Sequence, residues 1–151
     1  MRKITDNILI YTPTILGLLA FYFSLIRTSS NVPFIHEIIG TFLMLFGFLF
    51  WMVSIKYLGG MHYRDIEPKI KLQTKGPYRL VRHPMFSSWI MIAIGAEIFF
   101  QSLEAIPLLI AFCILLIIRS KKEERYLEKK FGNQWKDYKK KVGFILPKFR
   151  R

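Results

Sequence analysis

The chain has 151 residues, which allows one domain, and 52% of them are hydrophobic and 16% aromatic. Because the apolar residues are gathered in long runs, this composition excludes an ordinary water-soluble core and indicates a membrane protein. The net charge is +13, and the single cysteine, Cys113, excludes an intrachain disulfide framework. No Cys/His cluster has metal-ligand spacing, so we expect no metal site, and we expect no nucleic-acid partner.

Four apolar segments follow one another at residues 8–26, 38–58, 86–103 and 105–118. The first two are long enough to cross a hydrocarbon layer of about 30 Å, at about 1.5 Å per helical residue, and the third is close to that length. The fourth needs tilt or the snorkelling of Arg119. Since almost nothing separates the last two segments, we predict a tight helical hairpin. The pattern predicts an all-α membrane protein with about four transmembrane helices in one domain, residues 1–151.

The distribution of Lys and Arg predicts the orientation of these helices. Two basic residues precede the first segment, one lies in the first loop, six lie in residues 59–85, none in the third loop and thirteen in residues 119–151. By the positive-inside rule this alternation places both termini in the cytoplasm. The loop at residues 59–85 and the C-terminal segment then share the cytoplasmic face.

The polar stretch at residues 74–89, TKGPYRLVRHPMFSSW, concentrates basic and aromatic side chains at the mouth of a membrane helix. Gly76-Pro77 marks a turn. Pro84 keeps the backbone of His83 out of the helical region and lets a new helix begin. Such a stretch is either a topological anchor or a functional site.

The C-terminal segment has helical periodicity. The fourth apolar segment is predicted to continue from Arg119 as an amphipathic helix and to stop at Gly132. A second short helix is predicted over residues 134–142, with Trp135, Tyr138 and Val142 on one stripe. This aromatic stripe and the flanking lysines suit the membrane interface and anionic headgroups.

Three acidic residues are candidates for function. Glu123 and Glu124 are adjacent in a strongly basic segment, and Arg119 stands four residues before Glu123, where the two can share a helix face. An ordinary surface ion pair is the alternative interpretation. Glu97 lies midway along the third apolar segment, where an ionisable residue is a functional candidate by default. A structural role for Glu97 stays open.

Two motif blocks carry a resemblance. The first is Thr74-x-Gly76-Pro77-Tyr78, Arg82-His83-Pro84 and Trp89, and the second is Arg119, Glu123-Glu124, Leu127, Phe131-Gly132, Tyr138, Val142 and Pro147. In this order, and separated by one hairpin, they resemble the isoprenylcysteine carboxyl methyltransferases and related phospholipid methyltransferases, over roughly residues 56–147. The resemblance implies S-adenosyl-L-methionine as cofactor, in a pocket formed by the cytoplasmic loop and the C-terminal helices. It also implies a lipophilic or lipid-modified acceptor, with the carboxylate of a prenylcysteine-like molecule favoured.

The resemblance also implies roles for individual residues. Arg119 and Glu123 are the implied catalytic residues, with Arg119 close to the methyl acceptor. The implied cofactor-binding residues are Lys71, Leu72, Gln73, Tyr78, His83, Pro84, Met85, Phe86 and Glu124. Two positions depart from the family pattern, because Phe86 replaces the usual tyrosine and Ile70 stands where eukaryotic members often have a histidine.

Methyl transfer from a sulfonium needs positioning and the exclusion of water rather than a metal. A carboxylate acceptor is already nucleophilic, and Arg119 can orient it, whereas an amine acceptor needs a base such as a glutamate. Two other functions stay open. One is a nicotinamide-dependent membrane reductase of the sterol-reductase type, although the glycine-rich dinucleotide motif is missing. The other is a non-catalytic membrane protein that binds anionic lipids.

Overall fold

The computed structural model describes residues 2–26, 33–58 and 72–148, and for residues 2–10 and 23 it describes the backbone alone. Within these ranges the chain is helical, which confirms the all-α prediction, and it has one isolated parallel bridge between Val81 and Gly143. The α-helices are α1 (Arg2–Ile26), α2 (Phe34–Leu58), α3 (Pro84–Phe100), α4 (Ile106–Phe131) and α5 (Asn133–Lys141), and short 3₁₀ turns span Gly76–Arg79 and Leu103–Ala105.

The predicted segments match these helices with small shifts at their ends. α3 begins at Pro84, as the Pro rule requires, but it ends at Phe100, three residues before the predicted end. It ends there because Gln101 adopts a left-handed backbone with φ 51°, and its N–H donates to the carbonyl of Glu97. α4 continues through the basic residues and stops before Gly132, whose φ is 52°, so the predicted amphipathic extension and its stop are confirmed.

Two helical segments are long and apolar enough to cross a membrane, namely α2 and the run Leu103–Phe131 that contains α4. The apolar part of α1, Tyr11–Ile26, and α3 are shorter apolar helices. Large apolar side chains such as Phe42, Leu49 and Ile114 remain exposed on the outer surface, as expected of a membrane-associated protein. Four spans with cytoplasmic termini stay a prediction.

The helices pack in two pairs, α2 with α3 and α1 with α4. Glycines permit the first pair, because a Cβ added at Gly40 would lie 2.7 Å from the carbonyl oxygen of Gly95 and 2.7 Å from Cβ of Phe99. In the second pair, a Cβ at Gly17 would lie 3.2 Å from the ring of Phe112. The predicted hairpin of α3 and α4 has the expected short connection. Its two helices nevertheless pack less on each other than on α2 and α1, which offer these glycine faces.

α5 folds back and covers the loop that precedes α3. Trp135, Tyr138 and Val142 form a buried cluster with Leu72 of that loop. Trp135 is only 1% exposed, so the prediction that this stripe faces the membrane interface was wrong for it. The stripe is apolar because it closes a protein core, and the lysines occupy the outer face of α5. The C-terminal segment and the loop before α3 therefore form one unit at the polar end of α4.

Candidate functional site

His83 and the two adjacent glutamates of α4 meet where the loop before α3 crosses the polar end of α4. The imidazole Nδ1 lies 3.6 Å from Glu123 Oε2, and Nε2 lies 3.5 Å from Glu124 Oε1. His83 is buried, and its backbone (φ −122°) is non-helical because Pro84 follows it and begins α3. The structure thus brings together the two motif blocks that are separated by α3 and most of α4.

Arg82 ties Glu124 to the chain that follows α5. Its Nε donates to Glu124 Oε1 at 2.7 Å, and its Nη1 donates to the carbonyls of Val142 at 2.6 Å and Lys139 at 3.3 Å. On the other side, Lys139 Nζ lies 3.4 Å from Glu124 Oε2. Both oxygens of this carboxylate therefore face cations, in an arrangement that also fixes the end of α5.

The charge state of Glu124 follows from these neighbours. It lies beyond the apolar run of α4, at the polar end of the helix. Burial works to raise its pKa, but the His83 imidazole and the Arg82 guanidinium outweigh burial and lower the pKa of Glu124 to about 2. Glu124 is therefore a carboxylate at any physiological pH.

Glu123 has a different environment on the same helix turn. Burial raises the pKa of Glu123, and the charges of His83 and Arg119 only partly oppose it. Arg119 Nε lies 3.4 Å from Glu123 Oε1, and the Arg119 side chain is only 1% exposed. The alternative interpretation of Arg119 and Glu123 as an ordinary surface pair is therefore wrong.

Aromatic rings enclose the basic side chains of the cluster. The rings of Phe86 and His83 stack with centroids 5.6 Å apart, and Phe144 meets His83 edge-on at 5.2 Å. The guanidinium carbon of Arg119 lies 5.4 Å from the centroid of Phe86, and that of Arg82 lies 5.5 Å from the centroid of Phe144. Phe86, although it departs from the family's tyrosine, thus provides a ring face on the site.

Tyr78 lies in the 3₁₀ turn before α3 and is buried. Its carbonyl accepts a hydrogen bond of 2.6 Å from the hydroxyl of Tyr138 on α5. Burial raises the pKa of Tyr78, and the negative charge of Glu123 raises it further. The Tyr78 phenol therefore remains protonated at neutral pH and can donate a hydrogen bond.

The other predicted cofactor residues have structural partners or lie outside the described residues. Leu72 belongs to the cluster under α5, and Gln73 Oε1 accepts from the backbone N–H of Thr74 at 3.0 Å and of Lys75 at 3.1 Å. Pro84 and Met85 are buried in the first turn of α3. Lys71 and the departing position Ile70 lie outside the described residues.

Three residues of the cluster were not among the predicted site residues: Arg82, Lys139 and Phe144. Arg82 had a usable signal, because it precedes His83 in the same motif. Lys139 and Phe144 had no such signal. More than 50 residues separate them from His83, and their side chains resemble the other lysines and phenylalanines nearby. Only the folded position of α5 identifies them.

Comparison with known proteins identifies the family to which the chain is similar. The family model of phospholipid methyltransferases matches residues 35–134, which include α2, α3, α4 and the clustered residues up to Glu124. A probable protein-S-isoprenylcysteine O-methyltransferase of Oryza sativa subsp. indica is 30% identical over 95 residues, 62% of this chain and 48% of the relative. Protein-S-isoprenylcysteine O-methyltransferase B of Arabidopsis thaliana is 30% identical over 78 residues, 51% of this chain and 40% of the relative.

A bacterial relative is named for a different acceptor. The methanethiol S-methyltransferase of Pseudomonas deceptionensis is 30% identical over 81 residues, 49% of this chain and 28% of the relative. The chain thus spans about half the length of the rice relative and less of the others. No solved structure matches it significantly.

Proposed function

Since the chain belongs to the phospholipid methyltransferase family, we propose that it transfers a methyl group from S-adenosylmethionine to a lipophilic or lipid-linked acceptor at the cytoplasmic membrane face. The observation that supports this proposal best is the buried cluster in which Glu123 and Glu124 flank His83 while Arg119 lies over the ring of Phe86. The similarity to plant protein-S-isoprenylcysteine O-methyltransferases favours a prenylcysteine-like carboxylate as acceptor. All four apolar helices would cross the membrane, with both termini in the cytoplasm.

The side chains of the cluster fit a cationic, hydroxyl-rich cofactor. His83 is buried, and both of its ring nitrogens face carboxylates, Nδ1 at 3.6 Å from Glu123 and Nε2 at 3.5 Å from Glu124, so its ring is fixed at the site. Glu124 is already engaged by three basic side chains, so its role is to hold Arg82, His83 and Lys139 in place. Glu123 is the better candidate for accepting hydrogen bonds from ribose hydroxyls. His83 and Arg119 already lie against the ring of Phe86, so Tyr78 is the ring left to offer a negative face to a sulfonium.

In the proposed reaction with a carboxylate acceptor, the protein does not need to remove a proton. S-adenosylmethionine, held by the cluster around His83, would supply a methyl group on a positive sulfur and would leave as a neutral thioether when the acceptor takes the methyl group. Arg119 orients a carboxylate acceptor through parallel N–H donors, and the buried cluster excludes water. Good alignment can contribute about 7–11 kcal/mol to such a step. With an amine acceptor, Glu123 is the residue placed to accept the proton.

A binding experiment separates this proposal from the two other functions. Detergent-purified protein is titrated with tritiated S-adenosylmethionine and, separately, with NADPH. We expect binding of the first only, with a loss of about tenfold or more in Glu123→Gln because a charge-assisted hydrogen bond is removed. Glu128→Gln, one turn further along α4, is the matched control. Binding of NADPH alone would favour a reductase, and binding of neither would favour a non-catalytic lipid-binding protein.

A second experiment tests the acceptor. A prenylated cysteine is compared with its methyl ester, which keeps the apolar chain but has no free carboxylate. We expect label transfer to the acid alone, and a higher KM for the acid in Arg119→Lys because the bidentate geometry is lost. Transfer to a thiol or an amine in place of the acid would contradict the choice of a carboxylate and leave methyl transfer itself intact.

A further inference from the structure

A cavity of about 180 Å³ lies between α1, α3 and α4, away from the cluster around His83. Its lining is mostly apolar and includes Gly17, Ala93, Phe112 and Leu116. Engineered apolar cavities of about 150 Å³ bind molecules of the size of benzene, so this volume suffices for a compact apolar ligand. Such a ligand can reach the cavity from the lipid phase.

One end of the cavity has a hydrogen-bonding pair. Glu97 of α3 and Ser24 of α1 both line the cavity, and the Ser24 hydroxyl donates to Glu97 Oε2 at 3.0 Å. Ser24 is buried. A carboxyl group among apolar helices is costly and marks a functional position by default. Because Glu97 itself lines the cavity, its carboxyl group can serve a ligand as well as Ser24.

We infer that this cavity is a binding site for a compact apolar alcohol, whose hydroxyl pairs with Glu97 while its hydrocarbon body fills the space between Ala93 and Phe112. A hydroxyl both donates and accepts, so it suits the carboxyl group in either protonation state. A plain hydrocarbon would fill the same volume but offer the carboxyl group no hydrogen bond, which is the costly arrangement in an apolar environment.

The site is separate from the methyl-transfer cluster but adjoins it. Phe112 and Leu116 line the cavity and also pack in one buried cluster with Phe86. The guanidinium of Arg119 lies over the ring of Phe86. The inference therefore concerns a second ligand and does not depend on the reaction proposed above.

The test uses a pair of probes that differ by one group, 4-methylcyclohexanol and 1,4-dimethylcyclohexane, and the detergent-purified full chain. Binding is followed by tryptophan fluorescence, because Trp89 lines the cavity, at equal probe concentrations within the micelle. We expect the alcohol to bind about tenfold more tightly than the hydrocarbon, the effect of one hydrogen bond to a half-buried carboxyl group. Equal affinities in the wild type would overturn the inference.

Four variants locate the site. Glu97→Met should abolish the preference for the alcohol over the hydrocarbon, so that the two probes bind about equally. Glu97→Gln, which keeps an acceptor, should retain the preference. Ala93→Leu should weaken both probes about tenfold by filling the cavity, and Ile94→Phe, which enlarges an exposed neighbour, should leave both unchanged. A preference that survives Glu97→Met, or binding that survives Ala93→Leu, would overturn the proposal. Should Glu97→Met fail to fold, Ala93→Leu decides alone.

Discussion

Glu123 and Glu124 are neighbours in sequence and have opposite environments. His83 and Arg82 outweigh burial and lower the pKa of Glu124 to about 2, whereas burial raises the pKa of Glu123. The sequence indicated that the pair was unusual, because both stand in a basic segment. It did not indicate which of them is held by Arg82, since that depends on where the loop before α3 crosses the helix.

Arg82→Gln should destabilise the protein by about 2 kcal/mol. The change removes the 2.7 Å hydrogen bond to Glu124 and the 2.6 Å bond to the carbonyl of Val142, and it leaves a mostly buried carboxylate with fewer partners. Thermal unfolding in detergent measures the effect. Arg79→Gln, an exposed guanidinium in the same loop, is the control, and equal unfolding temperatures for the two variants would contradict this account.

The pH dependence of stability should report Glu124. Its folded-state pKa of about 2 lies below the ordinary value of about 4.3, so its stabilising contribution is full above pH of about 5 and is lost as pH falls towards 2. The stability difference between the wild type and Glu124→Gln should therefore shrink over that window. Denaturant unfolding at several pH values measures it, with Glu128→Gln as reference. A difference that stays constant with pH would refute the assignment.

At the scale of elements, α5 and the turn after it close the site. Sequence periodicity predicted α5 and its apolar stripe, because both are local properties. It assigned Trp135 to the membrane interface, because period alone cannot distinguish a stripe that faces lipid from one that faces another protein segment. The structure places Leu72 against that stripe. This contact joins segments that are distant in sequence, so local periodicity does not reveal it.

Gly143→Ala should open the turn after α5. A Cβ at this position would lie 1.9 Å from the carbonyl oxygen of Leu146 and 2.7 Å from the amide nitrogen of Lys148, so the backbone must move. The movement would break the 2.8 Å hydrogen bond from Arg82 N–H to the Gly143 carbonyl. We expect weaker cofactor binding and a lower unfolding temperature.

The control for this turn is Leu146→Ala, which changes an exposed side chain in the same segment. It should bind S-adenosylmethionine as the wild type does. If Gly143→Ala also bound as the wild type does, closure by the C-terminal segment would not be needed for the site.

At the scale of the whole molecule, the order and approximate limits of the apolar helices were predictable because hydrophobic length is a property of the sequence. The predicted hairpin of α3 and α4 has the expected short connection. The stronger packing of α3 on α2 depends on the match of Gly40 to Gly95 across helices, which no single segment reveals. The cavity next to Glu97 likewise exists only between three helices.

The proposed topology can be tested by labelling. In a Cys113→Ser background, single cysteines replace Lys75, Lys140 and Leu103, which are exposed in the structure. With four spans, a membrane-impermeant maleimide should reach positions 75 and 140 from one side and position 103 from the other. The comparison is made between intact cells and opened membranes. Labelling of positions 75 and 140 from opposite sides would contradict both the topology and the proposed site.

Several links between the loop and the C-terminal segment end on main-chain oxygens. Arg82 donates to the carbonyls of Lys139 and Val142, Ser87 to that of Ile145 at 2.6 Å, and the Tyr138 hydroxyl to that of Tyr78. Every residue type offers such a carbonyl, so the donating positions must keep their side chains while the accepting ones can change theirs. Relatives can therefore have the same contacts between loop and C-terminal segment even where the residues that supply the accepting carbonyls differ.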